Sequence, residues 1–295
     1  MNVREALSEA IAQLTAAQVP SASTTAEVLL LHVLRRDRAF LYAHPEMEMI
    51  TDEERAYRKL VAERAAGTPT QYLTGKQEFW GLTFQVEPGV FIPRPETEHV
   101  VEVALKLVRE RLKRPDPRIA DLGTGSGCIA LALAAELPEA EIVATDVCEK
   151  ALSVARRNTE GLGLAGRVQF VQSDLFEAFF GHHGHVGADF DNRAFDLVVS
   201  NPPYVRPEEA DRLPREVREH EPPTALFSAD EGLEVTRRLI EEARGALVPK
   251  GWLVLELGYG MAERVKALAG DAWTNVEVTN DLAGIPRVLA AQKKS

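Results

Sequence analysis

Arg118-Ile119-Ala120-Asp121-Leu122-Gly123-Thr124-Gly125-Ser126-Gly127 decides the reading of this chain. Residues 118–121 form a short apolar strand that ends on an acid. The glycine-rich run after it turns the backbone into a helix over residues 128–137, which Pro138 ends. Glycine tolerates positive φ and lets the backbone come close to a ligand. Downstream, strand and helix alternate. Strands are predicted over 141–146, 168–171, 195–200 and 252–257 and near Val276 and Val288, with helices over 150–158 and 233–247. This pattern predicts an α/β fold with a doubly wound parallel sheet, and ligands bound beyond the carboxyl ends of the strands.

Acids recur at those ends. Asp146 closes the second strand, about 20 residues beyond the first, where a carboxylate can accept both ribose hydroxyls. Asp174, in Ser173-Asp174-Leu175-Phe176, follows the third and can accept an adenine amine, with Leu175 supplying backbone and apolar contact. A nicotinamide fingerprint needs its third glycine at the position of Cys128; here it comes one residue early, at Gly127. S-adenosylmethionine has no phosphates and carries a sulfonium, so the acidic loop start at Asp121 suits it.

The fourth strand, Phe195-Asp196-Leu197-Val198-Val199-Ser200, runs into Asn201-Pro202-Pro203-Tyr204. Each proline fixes φ near −65° and lacks an N–H. The corner is therefore stiff. The Asn201 side-chain oxygen and the Pro202 carbonyl can each accept one hydrogen of a planar NH2 group, and Tyr204 can lie against that group. Alone, such a tetrapeptide is a rigid turn. Behind a nucleotide-type sheet it points to methyl transfer onto a planar nitrogen.

Residues 1–75 show helical spacing only: Leu7, Ala10, Ile11 and Leu14, then residues 28–34, then a capped start at Thr51-Asp52-Glu53-Glu54. Residues 78–86 alternate like a strand, Glu87-Pro88-Gly89 marks a turn, and residues 90–92 return, giving an expected hairpin. A helix is predicted from Arg94-Pro95-Glu96-Thr97-Glu98 through Val108. The expected domains are a helical substrate-recognition domain at 1–75, a hairpin linker at 76–95 and a catalytic domain at 96–295.

The formal net charge of −11 argues against non-specific binding to a nucleic-acid backbone, which depends on Lys and Arg displacing counterions. Two cysteines, Cys128 and Cys148, fit core packing in a reduced, cytoplasmic protein. Neither a signal peptide nor a membrane-spanning run is evident, and a monomer is expected. Gly181-His182-His183-Gly184-His185 is read as a solvated loop rather than a metal site.

Several segments together closely resemble the PrmC/HemK family of release-factor glutamine methyltransferases. They are Gln71-Tyr72-Leu73-Thr74-Gly75, Glu78-Phe79-Trp80-Gly81-Leu82, Phe91-Ile92-Pro93-Arg94-Pro95-Glu96-Thr97-Glu98, residues 121–127 and 200–204, Glu221-Pro222 with Ala225-Leu226, and Asp281-Leu282-Ala283-Gly284. The resemblance covers essentially the whole chain, although residues 181–189 lengthen a linker. It implies a Rossmann-like class I methyltransferase domain using S-adenosyl-L-methionine. The implied substrate is a class 1 peptide chain release factor, methylated on the glutamine amide of its Gly-Gly-Gln loop. By motif match, Gly123, Thr124, Gly125, Ser126, Gly127, Asp146, Leu175 and Asn201 would contact the methyl donor, together with Asp121 and Asp174 from the reading above. Asn201, Pro202, Pro203 and Tyr204 would hold the glutamine; apart from the motif match, Phe91 can either clamp the glutamine stem with Tyr204 or pack in the hairpin core. Asn201, Pro202 and Tyr204 carry the chemistry in this reading. Two alternatives remain open from the residues alone: an amino-methyltransferase acting on adenine N6 or guanine N2, and a non-catalytic protein binding release factor or ribosome.

Overall fold

The computed structural model describes residues 1–180 and 194–295; the His182, His183 and His185 segment lies outside them. The chain forms two compact units, one of residues 1–76 with 213–220 and one of 77–212 with 221–295. No helix among the described residues is long and apolar enough to cross a membrane.

The first unit is helical. Val3–Ala16, Ala22–Leu34 and Thr51–Ala65 pack around Val3, Ala6, Ala10, Leu14, Leu29, Leu30, Tyr57 and Val61. The buried stripe of the first helix is rotated from the expected one, so that Leu7 and Ile11 lie at its margin. The Tyr57 hydroxyl donates to the Ala26 carbonyl at 3.0 Å, which satisfies a polar group inside this core. The short helix Arg215–His220 returns to this unit, where Glu216 pairs with the buried Arg64. That segment is far from residues 1–75 in sequence, and no local pattern announces its partner.

A small hairpin opens the second unit, its first strand starting on Lys76, the residue before that unit begins. Strands β1 (Lys76–Phe79) and β2 (Leu82–Gln85) turn at Trp80-Gly81, both with positive φ. The expected turn at Glu87-Pro88-Gly89 is instead a bend after the hairpin, and residues 90–92 form no strand. The tighter turn prevails because Trp80 N–H donates to Glu98 Oε1 at 2.7 Å, while Trp80 and Leu82 pack on the main core.

The main sheet contains β3 (Arg118–Leu122), β4 (Glu141–Asp146), β5 (Val168–Gln172), β6 (Phe195–Ser200), β7 (Leu247–Glu256), β8 (Trp273–Asn280) and β9 (Pro286–Lys293). Their order is β5-β4-β3-β6-β7-β9-β8. The first five are parallel; β9 runs antiparallel between β7 and β8. The short connection from β8 to β9 is too brief for a parallel crossover, so those two strands form a hairpin. Asp281 shapes that turn, accepting from the backbone of Ala283 and Ile285 at 2.9 Å each and from Arg287 Nε at 2.8 Å.

Strand alternation builds a core on each face. Ile119, Leu197, Val199, Trp252 and Val254 point to one side, and Ala120, Leu122, Val198, Leu253 and Leu255 to the other. The helix Cys128–Glu136 is buried nearly all round, whereas Glu234–Ala246 buries only Thr236, Leu239, Ile240, Ala243 and Ala246, a helical stripe.

Register aligns the strand ends. Leu122 pairs with both Thr145 and Ser200, and Ser200 pairs with Leu255. Gly123, Asp146, Asn201 and Glu256 therefore emerge side by side on one rim. The chain order reverses between β3 and β6, the switch point where open α/β sheets bind ligands.

Gly127 locks the loop to its neighbours. Its φ is +85°, and a Cβ there would stand 3.1 Å from Ala155 Cβ and 3.2 Å from Leu131 Cδ1. Gly127→Ala is expected to cost at least about 1–2 kcal/mol of stability for the left-handed backbone alone, measurable by urea unfolding of both proteins.

Candidate active site

A cavity of about 220 Å³ opens on the rim. Its walls include Phe91, Thr97, Gly123, Gly125, Asp146 and Leu175, with Asn201, Pro202, Pro203 and Tyr204 along one side. All of these residues belong to the second unit.

The glycine loop forms its floor. Gly123 and Gly125 hold φ of +70° and +57°, and a Cβ on either would meet nothing within 4 Å. Their open faces leave a cradle for a ligand. Thr124 N–H donates to the Thr145 carbonyl at 2.8 Å, and Asn158 Nδ2 donates to the Ser126 carbonyl at 2.9 Å, so the loop is held from both sides. Thr124 and Ser126 line the cavity, whereas Gly127 does not. Gly127 is the N-cap of the following helix and serves close packing.

Asp121 also departs from the sequence expectation. It does not line the cavity and is fully buried beneath the loop. Its Oδ2 accepts from Thr124 Oγ1 at 2.6 Å and from Ala130 N–H at 3.1 Å, while Oδ1 has no partner among the described residues. Burial pushes its carboxyl up to about 7, against the pull of those two donors. The strand end aims this side chain under the loop, so Asp121 shapes the loop from below.

Asp146 does face the cavity. Its two oxygens accept from Gly125 N–H at 2.8 Å and Cys148 N–H at 2.9 Å. Burial raises its pKa despite these bonds. A carboxylate has about four lone-pair sites, so Asp146 retains capacity for two further donors. Asp174 and Leu175 line the opposite wall, and Phe176 is core. The Asp174 carboxylate is held by Arg238 at 3.0 Å. Leu175 has φ of +46°, uncommon for a side chain of its size. Cys128 packs in the main core as expected and Cys148 packs against Val90, Ala151 and Val154, and both also border the cavity.

The Asn-Pro-Pro-Tyr corner stands at the end of β6, anchored by Ser200 Oγ donating to the Leu122 carbonyl at 2.7 Å. Beyond it, Val205 N–H donates to Leu226 O and Ser228 N–H to Val205 O, at 2.9 Å each. Tyr204 is half-buried against the second core, with its hydroxyl 3.5 Å from Glu256 Oε1. Burial raises its pKa, and the Glu256 charge adds to this. Phe91 forms part of the cavity wall rather than hairpin core, under the Arg94 guanidinium at 4.8 Å. Arg94 in turn pairs with the buried Glu221, whose other oxygen accepts from Ile92 N–H at 3.4 Å.

Sequence reasoning assigned no role to Thr97 or Glu256. Asn201 Nδ2 donates to Thr97 Oγ1 at 3.1 Å, and Thr97 Oγ1 donates to Glu256 Oε2 at 2.6 Å. Both are buried, and burial pushes the Glu256 carboxyl up to about 7. An acid closing the apolar run of β7, level with Asn201, was the available signal.

Comparisons with known proteins agree with this geometry. Residues 5–75 match the PrmC N-terminal domain and residues 81–214 the methyltransferase small domain. The release factor glutamine methyltransferase of Koribacter versatilis is 41% identical over 293 residues, covering 99% of each chain. The chain belongs to the release factor glutamine methyltransferase family. Another member, from Moorella thermoacetica, is 41% identical over 300 residues, covering 100% of this chain and 99% of the relative. A methyltransferase from Pyrococcus furiosus shares the fold at a TM-score of 0.50 and 20% identity, over 73% of this chain and 90% of the other. As in the family, the α/β domain is a class I methyltransferase fold preceded by a helical domain.

Asp121 gives a pH prediction for this family member. Between about pH 4 and 7 the folded protein keeps a proton that the unfolded chain has released, so stability falls as pH rises through that window. Asp121→Asn removes this group. Its Tm relative to wild type is expected to shift in the variant's favour from pH 4 to pH 7, as read by calorimetry across that range.

Proposed function

We propose that this chain transfers a methyl group from S-adenosylmethionine to the side-chain amide nitrogen of the glutamine in the Gly-Gly-Gln loop of class 1 peptide chain release factors. The observation that carries it is the Asn-Pro-Pro-Tyr corner set level with an open glycine cradle. Full-length similarity to the family supports the choice of acceptor.

The residues present suit the donor. Gly123 and Gly125 leave room for close backbone approach, and Asp146 has lone pairs for two hydroxyls. Leu175 and Asp174 would bracket the base. S-adenosylmethionine, when bound, supplies an electrophilic methyl carbon on a sulfonium.

A carboxamide nitrogen is a weak nucleophile because its lone pair is shared with the carbonyl. Asn201 Oδ1 and the Pro202 carbonyl would accept its two hydrogens and draw electron density onto nitrogen. Both acceptors are fixed in advance, so they stabilise positive charge as it develops there without reorganising. Tyr204 and Phe91 would flank the glutamine stem and exclude water. No strong base is required before attack, since the surplus proton can pass from the nitrogen to water afterwards. In this reading the helical residues 1–75 recognise the release factor, residues 76–95 link, and residues 96–295 catalyse, working in the cytoplasm where translation terminates.

The test uses methyl-labelled donor with a release factor, the same factor lacking its Gly-Gly-Gln glutamine, and DNA. Label is expected on the intact factor alone; label on DNA alone overturns the proposal. Asn201→Ala is expected to lower kcat, measured at saturating donor, by at least about a hundredfold, the loss typical of one transition-state hydrogen-bond partner.

A further inference from the structure

A carboxamide has two similar ends, and only one of them serves here. If Asn201 is to accept an N–H from the substrate amide, its oxygen must face the cavity and its NH2 must face the protein. The Asn-Pro-Pro-Tyr sequence cannot impose that choice, because the oxygen and nitrogen ends of Asn are nearly the same size. Something beneath Asn201 must distinguish them.

The Thr97 hydroxyl has one proton. Its 2.6 Å contact with Glu256 Oε2 uses that proton, because an ionised carboxylate only accepts. Towards Asn201 the hydroxyl then presents lone pairs alone. Only the Nδ2 end of Asn201 can meet it, as it does at 3.1 Å. Thr97 is 2% exposed and Glu256 4%, so little water reaches these bonds although Thr97 borders the cavity. The Tyr204 hydroxyl, 3.5 Å from Glu256 Oε1, faces the same acceptor. One carboxylate thus sits behind two of the corner's four residues.

We propose that Thr97 and Glu256 are positioning residues that set the polarity of the Asn201 carboxamide, so that its oxygen rather than its nitrogen faces the acceptor amide. This rests on the reading that Asn201 Oδ1 holds the glutamine.

The proposal carries a pH dependence. The groups acting on Glu256 are the Thr97 and Tyr204 hydroxyls, the Arg287 guanidinium, the Glu96 carboxylate and, across the core, the Cys128 thiol. Burial is the strongest influence and raises the carboxyl to about 7; Thr97, Arg287 and Tyr204 oppose it, and Glu96 adds to it. Once protonated, Glu256 can donate to Thr97. The Thr97 proton is then released to point at Asn201, and the carboxamide can rotate to put Oδ1 inward and Nδ2 into the cavity. That rotation removes the substrate's acceptor. Activity therefore falls as pH drops through about 7, on account of Glu256.

The experiment measures kcat, KM for a release factor, and donor affinity from pH 5.5 to 8.5 for wild type, Asn201→Ala, Thr97→Val, Thr97→Ser and Glu256→Gln. Thr97→Val keeps shape and removes the hydroxyl; kcat is expected to fall about tenfold, the scale of one lost neutral hydrogen bond, with KM and donor affinity within about twofold. Thr97→Ser restores kcat. Glu256→Gln, which can donate at every pH, loses the acidic limb near pH 7 that wild type shows. Wild-type kcat in Thr97→Val, or an unchanged acidic limb in Glu256→Gln, overturns the proposal. Should Thr97→Val fail to fold, the Glu256→Gln profile decides alone. Failure of the underlying reading looks different: wild type then leaves the release factor unlabelled, or Asn201→Ala matches wild type.

Discussion

Everything at this site depends on the pairing of β3 with β6. Ser200 lies opposite Leu122 and donates its hydroxyl to the Leu122 carbonyl at 2.7 Å. That lock sets the two strand ends level. The glycine loop leaves one and the Asn-Pro-Pro-Tyr corner leaves the other, side by side. A slip of one residue would turn every β6 side chain to the opposite face, sending Val198 into the core built for Leu197 and Val199. Because β6 is buried along its whole length, its register is strongly specified and the site inherits that precision.

Around this lock, the corner is confined by small residues and held by polar ones. A Cβ on Gly232 would lie 2.3 Å from the Tyr204 carbonyl, and one on Gly258 would lie 2.8 Å from the Tyr204 ring. These glycines let neighbouring segments close on Tyr204 from behind. Three acids with raised pKa, Asp121, Asp146 and Glu256, converge near the rim. A group of desolvated carboxyls near a cavity is a recurring mark of a functional site.

The sequence made the fold legible where one physical signal dominated. Apolar β6, the glycine turn and the alternation of elements all pointed to one sheet, and the parallel core follows them. The hairpin turn was misplaced because Glu87-Pro88-Gly89 is a stronger local signal than Trp80-Gly81; the tertiary bond from Trp80 N–H to Glu98 overrides it. The return of residues 213–220 to the helical unit was invisible for the same reason: Arg64 and Glu216 find each other only in space. At the site, the residues facing the cavity from strand ends were readable from position. Asp121 and Gly127 were assigned to the right loop but the wrong side of it, since spacing along the chain does not say which way a side chain turns. Thr97 was hidden within a charged segment, and Glu256 within an apolar strand, because their roles exist only through Asn201.

The central claim is that a stiff proline-framed corner orients a carboxamide against the donor cradle. A crystal structure of the chain with S-adenosylhomocysteine and a peptide carrying Gly-Gly-Gln tests it most directly. The account predicts the glutamine nitrogen at about 3 Å from both Asn201 Oδ1 and the Pro202 carbonyl, with Asn201 Nδ2 still on Thr97. A glutamine amide bound elsewhere, or Asn201 presenting its nitrogen to it, would contradict the account.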